Sequence, residues 1–250
     1  RARIVAFDQN RRVLRDTLAR MRDGLFLIDG GADHFTYFEG QPIQLGATVV
    51  NCSGEAREAG ISLVLERGDG TAAMENTVID VGPGETARVT AERPASAAAG
   101  GMARVSLMDG GTVADRAEHT VHTWRPKQNP RYMTVENGDF RLNGARWRPH
   151  GVNYMPSSGI GTEDQNYFEH WIGARAYDPE IIERDLRRVN AMGMNAVSVF
   201  IYHESMESQN LLDLLRLCEE LDLHVNLSLR PGTPLDFEWD KMRELITHYR

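Results

Sequence analysis

The spacing of apolar residues changes along the chain, and each change marks a candidate domain boundary. Near the start, apolar positions fall on one face at helical spacing, Asp23-Gly24 ends the pattern, and Leu25–Ile28 is a short apolar run. The helical positions are Val13, Leu14, Leu18 and Met21. A helix and one strand are too small to fold alone, so we predict that residues 1–33 are a linker or the tail of a preceding domain.

From about His34 to Trp124 apolar positions alternate with polar ones, as is typical of half-buried strands. Turn clusters at Asn51–Gly54 and Gly68–Gly70 separate the runs. The runs with the clearest signals are Ile43–Val49, Ile61–Leu65, Val78–Val81, Glu85–Thr90, Ala103–Leu107 and Val121–Trp124. Short strands at this spacing predict an immunoglobulin-like β-sandwich over residues 34–125, without the Cys/Trp/Cys pattern of antibody domains.

Helix and strand alternate after a predicted linker at residues 126–138. Asn143-Gly144 predicts a hairpin because both residues tolerate positive φ, Asp178-Pro179 is a helix start and Gly193 is a helix end. The later predicted elements are two apolar strands, Asn195–Tyr202 and His224–Leu229, a helix with Leu211, Leu212, Leu215 and Cys218 inward, and a helix that begins within Trp239–Arg250. Almost continuous apolar strands belong to parallel sheets covered on both faces. Residues 139–250 therefore predict an α/β domain with a parallel sheet.

Three motifs in residues 139–250 resemble the start of the barrel in clan A glycoside hydrolases, the cellulase, mannanase and β-galactosidase type. They are the hairpin Phe140-Arg-Leu-Asn-Gly-Ala-Arg-Trp147 leading into Gly151-Val-Asn-Tyr154, the helix Ile182–Leu186 with its exit Met192–Val197, and the strand Val225–Leu229. The resemblance covers somewhat under half of the chain. It implies a multidomain β plus α/β protein, with the sandwich followed by an incomplete TIM-type (β/α)8 barrel made of its first three β/α units.

Side chains at the carboxyl ends of barrel strands form the active site in such folds. These ends are Asn153-Tyr154, Tyr202-His203-Glu204 and Arg230-Pro231. The candidate substrate-binding residues are Asn153, Tyr154, His203, Arg230 and Trp171. Trp171 lies in the long first loop, which also carries the aromatic residue Tyr167. Aromatic rings stack on sugar faces, but a loop aromatic also serves simply to anchor its loop. Structural alternatives stay open for the others too: Asn153 tying loop backbone together, and Arg230 pairing with a carboxylate.

Retaining glycosidases need two carboxyl groups about 5.5 Å apart, one as acid and one as nucleophile. The resemblance implies that both are glutamates at the ends of the fourth and seventh strands, beyond Arg250. Glu204 and Glu207 lie after the second strand and do not fit those places. Because the chain starts with Arg1 and stops within a helical pattern, we expect it to be a piece of a longer polypeptide and to be inactive alone.

One departure from the family pattern leaves a second function open. Ser198 stands in the second strand where many members carry an arginine, and a neutral serine cannot supply that charge. The first hypothesis is retaining hydrolysis of β-glycosidic bonds in an oligo- or polysaccharide. The alternative is a non-catalytic carbohydrate-binding or scaffolding protein with a degenerate barrel. A third is an adhesion-type protein in which the sandwich is the working part.

Composition excludes several other partners. A net charge of −8 over 250 residues argues against nucleic acid and anionic membranes, which need clustered positive charge. The resemblance to glycoside hydrolases implies a carbohydrate partner. Cys52 and Cys218 lie in different predicted domains, so we expect no disulfide, no metal and no cofactor. The glycosylation triplets at Asn51 and Asn226 are interpreted as chance matches. Compartment and oligomeric state are not predicted.

Overall fold

The computed structural model describes residues 11–93, 100–157, 170–174, 176–202, 208–230, 239, 240 and 243. The chain divides into two compact units, Arg1–Thr123 and Trp124–Arg250.

The first unit is built from antiparallel strands. Its described elements are α1 (Arg11–Asp23), β1 (Leu25–Ala32), β2 (Thr36–Phe38), β3 (Ile43–Asn51), β4 (Arg57–Arg67), β5 (Ala72–Val81), β6 (Thr86–Arg93), β7 (Gly101–Asp109) and β8 (Thr112–Trp124). One sheet has the order β1-β3-β6 and the other the order β2-β8-β7-β4-β5. The strict alternation predicted for Ile43–Val49 is present, with each apolar residue of that run buried.

The buried faces of both sheets contribute to one apolar core. Its largest fully buried members are Tyr37, Leu45, Ile61, Leu63, Leu65 and Leu107. Burying a side chain of this size contributes about 1.5–3 kcal/mol relative to leaving it exposed. This core is what makes the predicted period-two runs fold as a layered β unit.

Strand β1 belongs to the sandwich, which differs from the predicted boundary at residue 33. It pairs antiparallel with β3 from Leu25 to Ala32. The buried Asp115 carboxylate of β8 accepts hydrogen bonds from the backbone N–H groups of Leu27 (3.0 Å) and Arg116 (2.7 Å), and Arg20 of α1 forms an ion pair with it (2.7 Å). The sequence did not reveal this contact because Leu27 and Asp115 are 88 positions apart.

Asn51 is a buried structural residue. Its side-chain N–H groups donate to the carbonyl oxygens of Glu55 and Val81, both at 2.8 Å, and its Oδ1 accepts from the Ser53 backbone N–H at 2.9 Å. Because both side-chain N–H groups are hydrogen-bonded, the Asn51 amide nitrogen is not accessible for attachment of a glycan. This placement favours the interpretation of the Asn51-Cys52-Ser53 triplet as a chance match.

The second unit contains two small sheets of different kinds. Its described elements are β9 (Met133–Glu136), β10 (Asp139–Leu142), β11 (Ala145–Arg146), β12 (Gly151–Tyr154), α2 (Pro179–Ala191), β13 (Ala196–Tyr202), α3 (Ser208–Glu220) and β14 (His224–Arg230). The order β11-β10-β9 is antiparallel, and the order β12-β13-β14 is parallel. Part of the predicted linker at residues 126–138 is therefore a strand, β9.

Two Asn-Gly turns shape the antiparallel sheet. The predicted turn has Asn143 at φ 51° and Gly144 at φ 80°, and Asn137 and Gly138 repeat this geometry at 52° and 81°. Positive φ at both positions is what a two-residue hairpin turn requires. The predicted hairpin is therefore confirmed, and the same signal one strand earlier marks β9.

The parallel sheet follows the predicted alternation of helix and strand. Asp178 caps α2 by accepting from the Ile181 backbone N–H at 3.2 Å, Pro179 occupies its first turn, and Ile182, Leu186 and Val189 are buried, as predicted. A side chain at Gly151 would overlap the Ala196 carbonyl, so only glycine lets β12 approach β13. Of the predicted third helix, the structure describes helical residues at Trp239, Asp240 and Arg243, and the rest lies outside the described residues.

Replacing Asp115 by alanine tests how firmly β1 is held. The change removes the acceptor of the Leu27 N–H and the partner of Arg20, so we expect the free energy of unfolding to fall by about 1–3 kcal/mol. Urea denaturation measures it. Asp80→Ala, at an exposed aspartate of β5, is the matched control and should change stability by less than about 0.5 kcal/mol. Equal unfolding midpoints for both variants would contradict a stabilising role of the Asp115 contacts with Leu27 and Arg20.

The two cysteines should differ sharply in reactivity. Cys52 is exposed, whereas burial raises the pKa of the Cys218 thiol to about 12, so almost no thiolate forms there at pH 8. We expect an aromatic disulfide reagent to titrate one thiol rapidly in the native chain and two in urea. The Cys52→Ser variant should show no rapid thiol. Rapid labelling of that variant would contradict the packing around α3.

Candidate functional site

The parallel sheet has one apolar face and one polar face. Side chains of all three strands and both helices form a single buried cluster that includes Val197, Val199, Ile201, Ile182, Leu186, Leu214 and Leu217. Successive side chains of a strand point to opposite faces of the sheet. The helices therefore cover the face that carries these apolar residues, and the alternate positions lie on the other face.

Polar residues from three neighbouring strands line up on that other face. Asn153 of β12 pairs in register with Ser198 of β13, and Ser198 pairs with Asn226 of β14. The Asn226 side-chain N–H donates to the Ser198 hydroxyl oxygen at 3.0 Å. Asn153 and Asn226 are exposed and Ser198 is half-buried. We name these three residues the polar row.

The polar row offers neutral donors and acceptors. Because Ser198 Oγ accepts from Asn226, its own hydrogen can serve as a donor, and the Asn226 carbonyl oxygen supplies an acceptor at the exposed surface. Phe200 and Ser228 are the next in-register pair toward the carboxyl ends of β13 and β14. An apolar ring beside amide and hydroxyl groups is a combination that suits a polyhydroxylated ligand.

Tyr154 lies away from the polar row. It is buried in the helix-covered core, its hydroxyl donates to Asp185 of α2 at 3.5 Å, and its ring meets Trp171 edge-on with centroids 6.1 Å apart. Desolvation raises the pKa of the Tyr154 hydroxyl above its usual value, with the Asp185 carboxylate adding to the shift. The hydroxyl is therefore a neutral donor at physiological pH, and this placement favours a structural role.

Trp171 is an anchor of the first loop in this structure. It is fully buried, and its indole N–H donates to the Phe200 carbonyl oxygen at 3.0 Å. A ring with no exposed surface cannot stack on a sugar. The packing therefore favours the anchoring alternative over the substrate contact for this residue.

The remaining predicted residues are placed only in part. His203 lies outside the described residues, as do Tyr167, Glu204 and Glu207. Arg230 ends β14 in register with Tyr202 of β13, at the carboxyl edge of the sheet. Of the predicted residues that the structure describes, Asn153 is the one brought into the polar row, and substrate contact by Arg230 and His203 stays a prediction.

Sequence reasoning missed Asn226 as a site residue and treated it only as a glycosylation triplet. The signal was available: Asn226 and Ser228 alternate with Val225, Leu227 and Leu229 in a strand otherwise apolar. Period-two polarity in a parallel strand indicates that one of its faces is not sealed by a helix.

A concave region lies at the amino end of β14, beside His224 and Val225. This groove of about 1130 Å³ is lined mainly by residues of the segment Trp124–Tyr132 and of α3, together with His224 and Val225. Ion pairs from Lys127 to Glu219 (2.5 Å) and from Arg131 to Asp222 (2.5 Å) hold the segment against the end of α3. In α/β folds, ligands bind at the carboxyl ends of strands, toward which Phe200 and Ser228 continue the face of the polar row. The groove lies at the amino end of β14, so the face that carries the polar row is the better candidate.

In the described part of the chain, no group of three or more His, Cys, Asp or Glu side chains is arranged to hold a metal ion. Nor does any helix in these ranges have the length and apolar character needed to cross a membrane.

Replacing Trp171 separates anchoring from ligand contact. Trp171→Ala removes a fully buried ring and its hydrogen bond, so we expect the free energy of unfolding to fall by about 3–5 kcal/mol. Chemical denaturation monitored by far-ultraviolet circular dichroism gives this value. Trp239→Ala, at a tryptophan with 58% exposure, is the control and should cost far less. A Trp171→Ala protein of unchanged stability would contradict the anchoring role.

Comparison with known proteins gives structural likeness alone. No model of a protein family matches the chain, and no curated protein matches it. Among solved structures, it is similar to a β-glucuronidase from Bacteroides uniformis (19% identity, TM-score 0.39, 81% of this chain and 22% of that chain). It is also similar to a glycosyl hydrolase family 2 member from Bacteroides cellulosilyticus DSM 14838 (14% identity, TM-score 0.41, 90% of this chain and 30% of that chain). A third similar structure is a β-glucuronidase from Parabacteroides merdae (13% identity, TM-score 0.35, 81% of this chain and 23% of that chain). The chain spans less than a third of each of these proteins.

Proposed function

We propose that this chain is part of a glycoside hydrolase that cleaves β-glycosidic bonds in an oligo- or polysaccharide with retention of configuration. The observation that carries the proposal is the polar row, Asn153, Ser198 and Asn226, on the open face of a parallel sheet whose other face is sealed by α2 and α3. The motifs that resemble clan A barrels supply the reaction class.

In this proposal, residues 139–250 are the first three units of a TIM-type barrel. The polar row faces the barrel interior, and Phe200 and Ser228 continue this face toward the carboxyl ends of β13 and β14, where amide and hydroxyl groups bind uncharged hydroxyls. The reaction itself needs two carboxyl groups about 5.5 Å apart, one to protonate the leaving oxygen and one to attack the anomeric carbon. We assign both to glutamates C-terminal to Arg250, at the ends of the fourth and seventh strands.

One observation favours a second function, a non-catalytic carbohydrate-binding or scaffolding protein. Ser198 occupies the place where the resemblance expects an arginine, and its hydroxyl oxygen is engaged by the neutral amide of Asn226. A neutral pair binds hydroxyl groups but does not provide positive charge beside a carboxylate. A barrel that binds saccharide and no longer cleaves it is consistent with this replacement.

The natural polypeptide that carries these 250 residues should hydrolyse at least one member of a panel of 4-nitrophenyl β-glycosides. Proton nuclear magnetic resonance of the first product should show the retained β-anomer. Asn226→Ala removes a donor and an acceptor from the polar row, so kcat/KM should fall about tenfold. Asn76→Ala, at an exposed asparagine of β5, is the matched control and should leave kcat/KM unchanged.

The outcomes distinguish the two functions. Saccharide binding measured by calorimetry without any turnover would favour the non-catalytic protein. An inverted first product would overturn the retaining mechanism, and neither binding nor turnover would overturn both functions.

A further inference from the structure

Phe200 is an aromatic residue on the same face of the parallel sheet as the polar row. It follows Ser198 by two positions in β13, so both side chains leave the strand on the same side. The buried cluster under α2 and α3 contains Val199 and Ile201, its two neighbours in the strand, and Phe200 itself is not a member. The Phe200 side chain is half-buried. Its ring therefore lies on the open face of the sheet and not among the helices.

Two contacts fix the backbone from which this ring projects. Phe200 pairs in register with Ser228 of β14. The last register pair with β12 is Tyr154 with Val199, so Phe200 is the first residue of β13 beyond that pairing. There its carbonyl oxygen accepts a hydrogen bond from the Trp171 indole N–H at 3.0 Å. A side chain on a fixed backbone loses less conformational freedom when a ligand binds, which favours affinity.

Hydroxyl and amide groups lie beside the Phe200 ring. Ser228 is its neighbour on β14, one strand spacing of about 4.8 Å away, and Ser198 and Asn226 lie about 6.6 Å back along the two strands. A pyranose ring has matching chemistry, because axial C–H groups make its faces apolar while equatorial hydroxyls project from its rim. A flat aromatic ring covers such a face, and neighbouring polar side chains reach the hydroxyls.

We propose that Phe200 is the stacking platform for one sugar ring of the substrate and that Ser228 binds a hydroxyl group at the rim of that ring. Both residues lie on the carboxyl side of the polar row, which is where ligands bind in parallel α/β sheets. This inference rests on the proposed function, and it adds which face of the saccharide the sheet contacts.

A platform of this kind distinguishes the two anomers of a sugar. In the chair of a β-linked gluco-, galacto- or mannopyranoside, the hydrogens on carbons 1, 3 and 5 are axial and share one apolar face. In the α-anomer, the glycosidic oxygen is axial on that face and separates the sugar ring from the platform. The substrate class that fits Phe200 is therefore β-pyranosides that present this apolar face.

The test measures binding of the methyl α- and β-glycosides of glucose, galactose and mannose to the natural polypeptide. Phe200→Leu keeps an apolar side chain and loses the aromatic face, and Phe200→Tyr keeps the face. Phe26→Leu, at a half-buried phenylalanine of β1, is the matched control. Calorimetry gives the affinities, and proton nuclear magnetic resonance of the bound sugar detects the ring current as upfield shifts of the hydrogens on carbons 1, 3 and 5.

We expect the parent to bind one β-glycoside at least tenfold more tightly than its α-anomer, with upfield shifts of those three hydrogens. Phe200→Leu should weaken binding of the β-glycoside about tenfold and abolish the shifts, because the stacking contact is lost. Phe200→Tyr and Phe26→Leu should retain both the affinity and the shifts. Ser228→Ala should weaken binding about fivefold and leave the shifts in place, because it removes one hydrogen bond to the rim.

The contrary results separate this inference from the proposed function. Binding or turnover by the parent together with unchanged affinity and shifts in Phe200→Leu would overturn the platform and leave the proposed function standing. An equal loss of affinity in Phe26→Leu, or equal affinity of the parent for both anomers, would also overturn it. A parent that neither binds nor cleaves any glycoside would overturn the proposed function and the platform together.

Discussion

The parallel sheet of the second unit depends on one constraint. In each strand, apolar side chains that pack against the helices must alternate with side chains that point to the opposite face. Val197, Val199 and Ile201 meet that demand in β13, and α2 and α3 seal their face. Because the side-chain period of a strand is two, this fixes Ser198 on the opposite face. A register shift of one residue would bury Ser198 among leucines and expose three apolar side chains.

Buried polar contacts then fix the position of segments that apolar packing alone would leave undetermined. Hydrogen bonds of Trp171, Asn210 and Tyr177 fasten the segment before α2 to β13 and α3. Asp115 does the equivalent for β1 in the first unit, where a single carboxylate accepts from Leu27 and Arg116. Both cases join segments that lie far apart in sequence around a buried polar atom. Such atoms are costly when unpaired, so they select one arrangement among those that the core alone would permit.

The sequence predicted what depends on local periodicity. The alternation in β3, the helix start at Asp178-Pro179 and the Asn143-Gly144 turn are each determined within a few residues, and the structure has them where the pattern placed them. It did not predict that Leu25–Ala32 pairs with β3, that Trp171 is sealed in the core, or that Asn226 reaches Ser198. Each of these depends on a contact between distant parts of the chain. Only the polarity of Asn226 in its strand offered a hint.

The central claim is that the polar row is where a saccharide binds, and side-chain amide spectra test it most directly. In the natural polypeptide with ¹⁵N-labelled asparagine, titration with an oligosaccharide that it binds should shift the side-chain signals of Asn153 and Asn226. The signals of the buried Asn51 and the exposed Asn76 should stay in place. Shifts confined to asparagines of the sandwich, with Asn153 and Asn226 unmoved at saturation, would contradict the account.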